Sequence, residues 1–130
     1  MKQRSAPVLI IGHDLLALGL AASLRARGQW VIARGATPAE REGLFTGPTP
    51  AAIIVDVLIA SRNDFALLRQ VRQQAHLRSV PILVLSPGTI ERERVALEGQ
   101  LRALGARPLL HPHDLDEVIG ELDRSLASVA

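Results

Sequence analysis

Short apolar runs alternate along the chain with longer stretches of helical spacing. The runs are Pro7–Ile11 (PVLII), Trp30–Ala33 (WVIA), Ala52–Val57 (AIIVDV), Pro81–Leu85 (PILVL) and Pro108–Leu110 (PLL). Rich in Val, Ile and Leu and nearly free of charge, they predict strands covered on both faces. Between them, Leu16, Leu20 and Leu24 recur every four residues, and Phe65, Leu68 and Val71 every three. Leu97, Leu101 and Leu104 form a third stripe, and Leu115, Val118, Ile119, Leu122 and Leu126 a fourth. Each stripe gathers its apolar side chains on one side of a helix.

Local signals place the ends of several helices. Thr37-Pro38-Ala39-Glu40 combines a capping hydroxyl, a proline at the first helical position and a glutamate three residues on. Asp114-Leu115-Asp116-Glu117 opens the last helix with acids, where the helix dipole favours them. Gly105 follows the third stripe as a C-terminal stop. The expected order is strand then helix, five times over. Strands joined through helices run parallel with right-handed crossovers. The predicted fold is therefore α/β: a doubly wound, five-stranded parallel sheet with helices on both faces, residues 1–130 forming one domain.

Composition narrows the function classes. Hydrophobic residues are 48 % and charged residues 22 % of the 130 residues, the balance of a globular domain with a real core. No apolar run reaches the roughly 18 residues of a membrane span, and the basic start MKQRSAPVLIIGHD does not continue as a signal peptide, so a cytoplasmic location is expected. There is no cysteine, which excludes disulfides, thiolate metal sites and a cysteine nucleophile. Net charge is only +2 although the pI is about 10.4, because every basic residue except Lys2 is arginine. The arginines are interspersed with acids, and one Trp with two Phe offers no stacking platform, which argues against a nucleic-acid surface.

In a doubly wound sheet, ligands collect beyond the carboxyl ends of the strands. Those places hold Gly12, His13, Asp14, Asp56, Ser86 and His111. Asp56 is the single charge in AAIIVDVLIA, and a position near a strand exit explains it: there its carboxylate reaches the solvated rim, either as a loop cap or as a chemical group. His13, His111 and His113 belong near the same rim and read first as solvated loop residues, although His13, Asp56 and His111 together would suit zinc. His76 carries no functional signal. Gly35 and Gly88 are turn candidates; the chain has no glycine-rich phosphate loop, and no nucleophile–base pair emerges, so no enzyme is expected.

From Asp56 the chain reads DVLIASRNDFALLRQVRQQAHLRSVPILVLSPG, which resembles the receiver domain of bacterial response regulators, the phosphorylated partner in two-component signalling. The ending GARPLLHPHDLDEVI is similar to that family's fifth strand, Lys-Pro pair and last helix. The resemblance implies Asp56 at the phospho-acceptor place and Ser86 at the hydroxyl place. It also implies two acids after the first strand that hold Mg²⁺, and a lysine after the fifth strand. Those parts are missing. The only acid before residue 40 is Asp14; ungapped, the acid pair's places fall on Gly12 and His13, with Asp14 just beyond, and aligning on Leu15–Leu20 instead moves them to Ile11 and Gly12. His111 precedes Pro112 where the family has lysine, and Pro108, Leu109 and Leu110 leave the fifth strand without the family's aromatic switch. Imidazole is shorter than a lysine side chain and mostly neutral near pH 7.

The expectation that follows is a receiver-type domain with a degenerate pocket: Asp56 and Ser86 kept, cation clamp and lysine lost, Mg²⁺ binding doubtful. It would act mainly as a protein-interaction module for a sensor kinase or an output protein, docking on the last two helices and the strand between them, with a homodimer through those helices. A working phospho-acceptor is the first alternative. A second comes from Gly12-His13-Asp14 through RARGQWVIARGATPAE, which resembles the cobalamin-binding domain of mutases and methyltransferases. Yet that motif's first Asp and its Gly fall on Ile11 and Leu16, and its paired strand-four glycines on Ser86 and Pro87.

Overall fold

The computed structural model describes residues 6–12, 15–34, 48–56, 64–74, 77–86, 99–110 and 115–129. Five parallel strands form one sheet: β1 (Val8–Ile11), β2 (Val31–Arg34), β3 (Ala52–Asp56), β4 (Ile82–Ser86) and β5 (Ala106–Leu110), in the order β2-β1-β3-β4-β5. The helices are α1 (Leu15–Ala26), α2 (Asp64–Gln73) and α3 (Leu115–Val129), and residues 99–103 are also helical. The chain winds from β1 to β2 in one direction and through β3, β4 and β5 in the other, so the order reverses at β1 and β3.

Strand alternation splits the core into two layers. Leu9, Ile11, Ile53, Val55, Ile82 and Val84 face one side, beneath Leu68 and Val71 of α2 and beneath Leu101. Val8, Ile10, Ala52, Ile54, Leu83 and Leu85 face the other, beneath Leu20 and Leu24 of α1 and Val118 and Leu122 of α3. Covering both faces is what makes the strands continuously apolar. In α1 the buried face is Ala17, Leu20, Ala21 and Leu24, and the small residues let α1 lie close to its neighbours. Next to them, a Cβ on Gly19 would stand 3.4 Å from Leu115 Cδ1 of α3. Leu18 points away and is 55 % exposed.

Some bounds differ from the sequence reading. β2 begins at Val31 rather than Trp30; Trp30 is 42 % exposed and contributes its carbonyl, which accepts from Val8 N at 2.9 Å. β4 runs one residue later than expected, through Ser86. β5 begins at Ala106, two residues before the apolar run. The polarity of Arg107 and the missing N–H of Pro108 hide this strand, and both are tolerated because β5 is the sheet edge. Gly105 does stop the preceding helix, at φ 73°, with its N–H on Arg102 O at 3.0 Å. The capped segment Thr37–Glu40, Gly35, Gly88, His76, His113, Leu97 and Asp114 lie outside the described residues. No described helix is long and apolar enough to cross a membrane.

Candidate functional site

The carboxyl ends of β1, β3 and β4 meet at the switch point, where open α/β sheets bind. Ile11 pairs with Val55, so Gly12, the next residue, comes level with Asp56 on the adjoining strand. Asp56 in turn pairs with Leu85, and Ser86 follows it and pairs with Leu110. Neighbouring strands lie about 4.8 Å apart, so Gly12, Asp56 and Ser86 occupy three successive strands within roughly 10 Å. The structure thus brings together three of the six rim residues named from sequence. His13, Asp14 and His111 lie outside the described residues.

Gly12 is buried, and its N–H donates to Arg34 O at 3.0 Å, extending the β1–β2 ladder one step past the strand. A glycine there supplies backbone only. The last residues of the other strands are Arg34, Asp56, Ser86 and Leu110, so Asp56 is the only carboxylate among the described strand ends. No group of three or more His, Asp or Glu residues that could hold a metal ion occurs among the described residues. Arg34 was missed from sequence, because the apolar run WVIA ends one residue before it. It is exposed at the same rim, level with Ile11.

A second polar centre, also missed, lies at the opposite end of the sheet. The Arg72 guanidinium of α2 donates through Nε to Leu104 O (2.9 Å) and through Nη2 to Gly105 O (2.7 Å), just before β5. Through Nη1 it reaches Leu77 O (3.1 Å), Arg78 O (3.0 Å) and Val80 O (2.9 Å), just before β4. Burial lowers the pKa of this group from its ordinary value. In the sequence, Arg72 is one of three arginines in the polar stretch 69–78 and nothing in the spacing singles it out.

No protein-family model matches the sequence, and no curated protein does. Solved structures do. The chemotaxis response regulator CheY4 of Vibrio cholerae is 22 % identical, with TM-score 0.72, over 92 % of this chain and 98 % of that one. The signal receiver domain of a signal transduction histidine kinase from Syntrophus aciditrophicus is 25 % identical, with TM-score 0.71, over 96 % of this chain and 92 % of that one. The receiver domain of a sensor histidine kinase from Pseudomonas aeruginosa PAO1, which holds a magnesium ion in its active-site cleft, is 22 % identical, with TM-score 0.70, over 94 % and 98 %. Strand order, register and these neighbours agree: the chain has the fold of the response regulator receiver domains of two-component signalling.

Proposed function

We propose that this domain works in two-component signalling as a protein-binding module rather than as a Mg²⁺-dependent phosphate switch. The observation that carries the reading is Gly12, buried at the end of β1 and level with Asp56. A divalent cation of this kind needs several oxygen ligands, mostly carboxylates. The described rim offers Asp56 alone, so its residues do not fit such an ion. Without a cation, an anionic phosphoryl donor meets an uncompensated carboxylate and is repelled. The domain keeps the fold as a platform for a kinase or output protein, and it catalyses no reaction of its own.

Asp56 and Ser86 on adjacent strands favour a second reading, a working phospho-acceptor. The two part cleanly on incubation with acetyl phosphate and Mg²⁺ followed by intact mass. The binding-module reading expects an unchanged mass. A stable gain of one phosphoryl group that disappears in Asp56→Asn overturns it. Self-association through the last two helices belongs to the same reading; equilibrium sedimentation is expected to show a dimer, and monomer alone at high concentration counts against it.

A further inference from the structure

Among the described residues the two faces of the sheet differ in charge. On the α1–α3 face, Arg25, Arg27 and Arg124 stand among Asp116, Glu117, Glu121 and Asp123. Two pairs form there: Arg27–Asp123 at 3.3 Å and Arg124–Glu121 at 2.6 Å. On the other face, described residues 64–74, 77–80 and 99–105 carry Arg69, Arg72, Arg78 and Arg102 against a single acid, Asp64 at the start of α2. A groove of about 260 Å³ runs there between α2 and the helical residues 99–103, lined by Arg69, Gln100, Ala103 and Leu104. Leu104 is half-buried and packs on the core beneath, while the other three are exposed. Arg69 makes no hydrogen bond or ion pair with any described residue.

Hydrogen bonds also tie the two walls together at one end. Arg72 lies one turn beyond Arg69 on α2, and its guanidinium crosses to Leu104 O and Gly105 O at the end of the opposing wall. Fixed walls bind with less ordering cost than mobile ones. A half-buried leucine beside one exposed arginine fits an amphipathic helix that presents an apolar side chain next to a carboxylate.

We propose that the cleft between α2 and residues 99–103 is a docking groove for an acidic amphipathic segment of a partner protein, with Arg69 as its charge anchor. This rests on the binding-module reading for its role. The mass measurement judges that reading and the following titration judges the groove, so the two fail separately.

The test is a titration of the ¹⁵N-labelled chain with a synthetic amphipathic helix of Leu, Ala and Glu, beside its Glu→Gln and Glu→Lys counterparts. The expected result is saturable shifts of the Arg69, Gln100, Ala103 and Leu104 amides by the acidic peptide, with the Gln counterpart about two- to fivefold weaker. Arg69→Glu, a change at an exposed position, is expected to reverse the preference toward the Lys peptide. Arg124→Gln, on the opposite face, is expected to leave the acidic peptide's binding unchanged. Equal binding of the acidic and neutral peptides overturns the proposal, as does a set of shifts centred on α1 and α3. Tighter binding of a single-stranded oligonucleotide at the same amides overturns it too, and so does self-association of the chain through them.

Discussion

Replacing Arg72 by Met keeps a long, apolar side chain of similar reach and removes every donor. Five carbonyls then lose a donor, although Leu77 O still accepts from Val80 N at 3.2 Å. Those of Arg78 and Gly105 lie at exposed positions and can be rehydrated, while those of Leu77, Val80 and Leu104 are partly buried. Bonds to a charged donor are each worth somewhat more than the ordinary ~1 kcal/mol, and partial rehydration offsets some of the loss. The expected penalty is about 2–4 kcal/mol. With a urea m-value of about 2 kcal/mol/M for a domain of this size, the midpoint falls by about 1–2 M. Arg72→Lys should recover less than half of it, because one ammonium cannot span carbonyls that the planar guanidinium reaches from three nitrogens. Sign also matters. Burial lowers the Arg72 pKa, so any pH-linked change in stability would be a rise with pH, confined to the strongly alkaline range where arginine begins to deprotonate. The Met penalty should therefore be flat between about pH 6 and 9. A loss under about 0.5 kcal/mol, or a lysine variant equal to the parent, would refute the latch.

The remaining predictions concern packing and surface charge. Gly105→Ala should cost about 1–2 kcal/mol by thermal or urea unfolding, since φ is 73° and the new Cβ would stand 3.2 Å from Arg72 Nη2. Gly99→Ala, with nothing within 4 Å, should instead stabilise by about 0.5–1 kcal/mol. Asp123→Ala removes the exposed 3.3 Å pair with Arg27 and should cost less than about 1 kcal/mol, a difference that molar salt erases.

The centre of the sheet was legible because β1, β3 and β4 are buried on both faces and carry little else than Val, Ile and Leu, whereas β2 ends in the exposed Ala33 and Arg34. Ile53, Ile54, Val55, Leu83 and Val84 need no partner knowledge to be read as core. The edge strand was harder: Arg107 and Pro108 look like loop residues until the unpaired outer side of β5 makes them acceptable. Asp56 stood out because a charge in an apolar run is rare, and Gly12 because the resemblance asked for an acid there. Arg72 had no such contrast. Its role lies in carbonyls at 77–80 and 104–105, which become neighbours only after β4 and β5 pair, and a periodicity along one helix carries no trace of them.

The two polar centres sit at opposite ends of the sheet, and that separation explains how the rim can change without loss of the fold. Arg72 ties the turns that enter β4 and β5, while Gly12, Asp56 and Ser86 follow the last core residues of their strands. These strand-end positions therefore follow the core residues along the chain rather than interrupt them. Acids crowded at such a rim have a cost of their own. Two carboxylates about 5 Å apart repel by roughly 3 kcal/mol at an effective dielectric constant of 20, so a cluster of them is stable only with a cation. On the proposed reading Gly12 stands in place of one such acid, and Asp56 is the one carboxylate among the described strand ends. A domain of the proposed kind would lack the charge crowding that an arriving phosphoryl group and its metal relieve. It would keep the five-stranded sheet, and on the flank between α2 and residues 99–103 a groove beside which Arg72 bonds across to Leu104 O and Gly105 O, at the end of the sheet opposite Asp56.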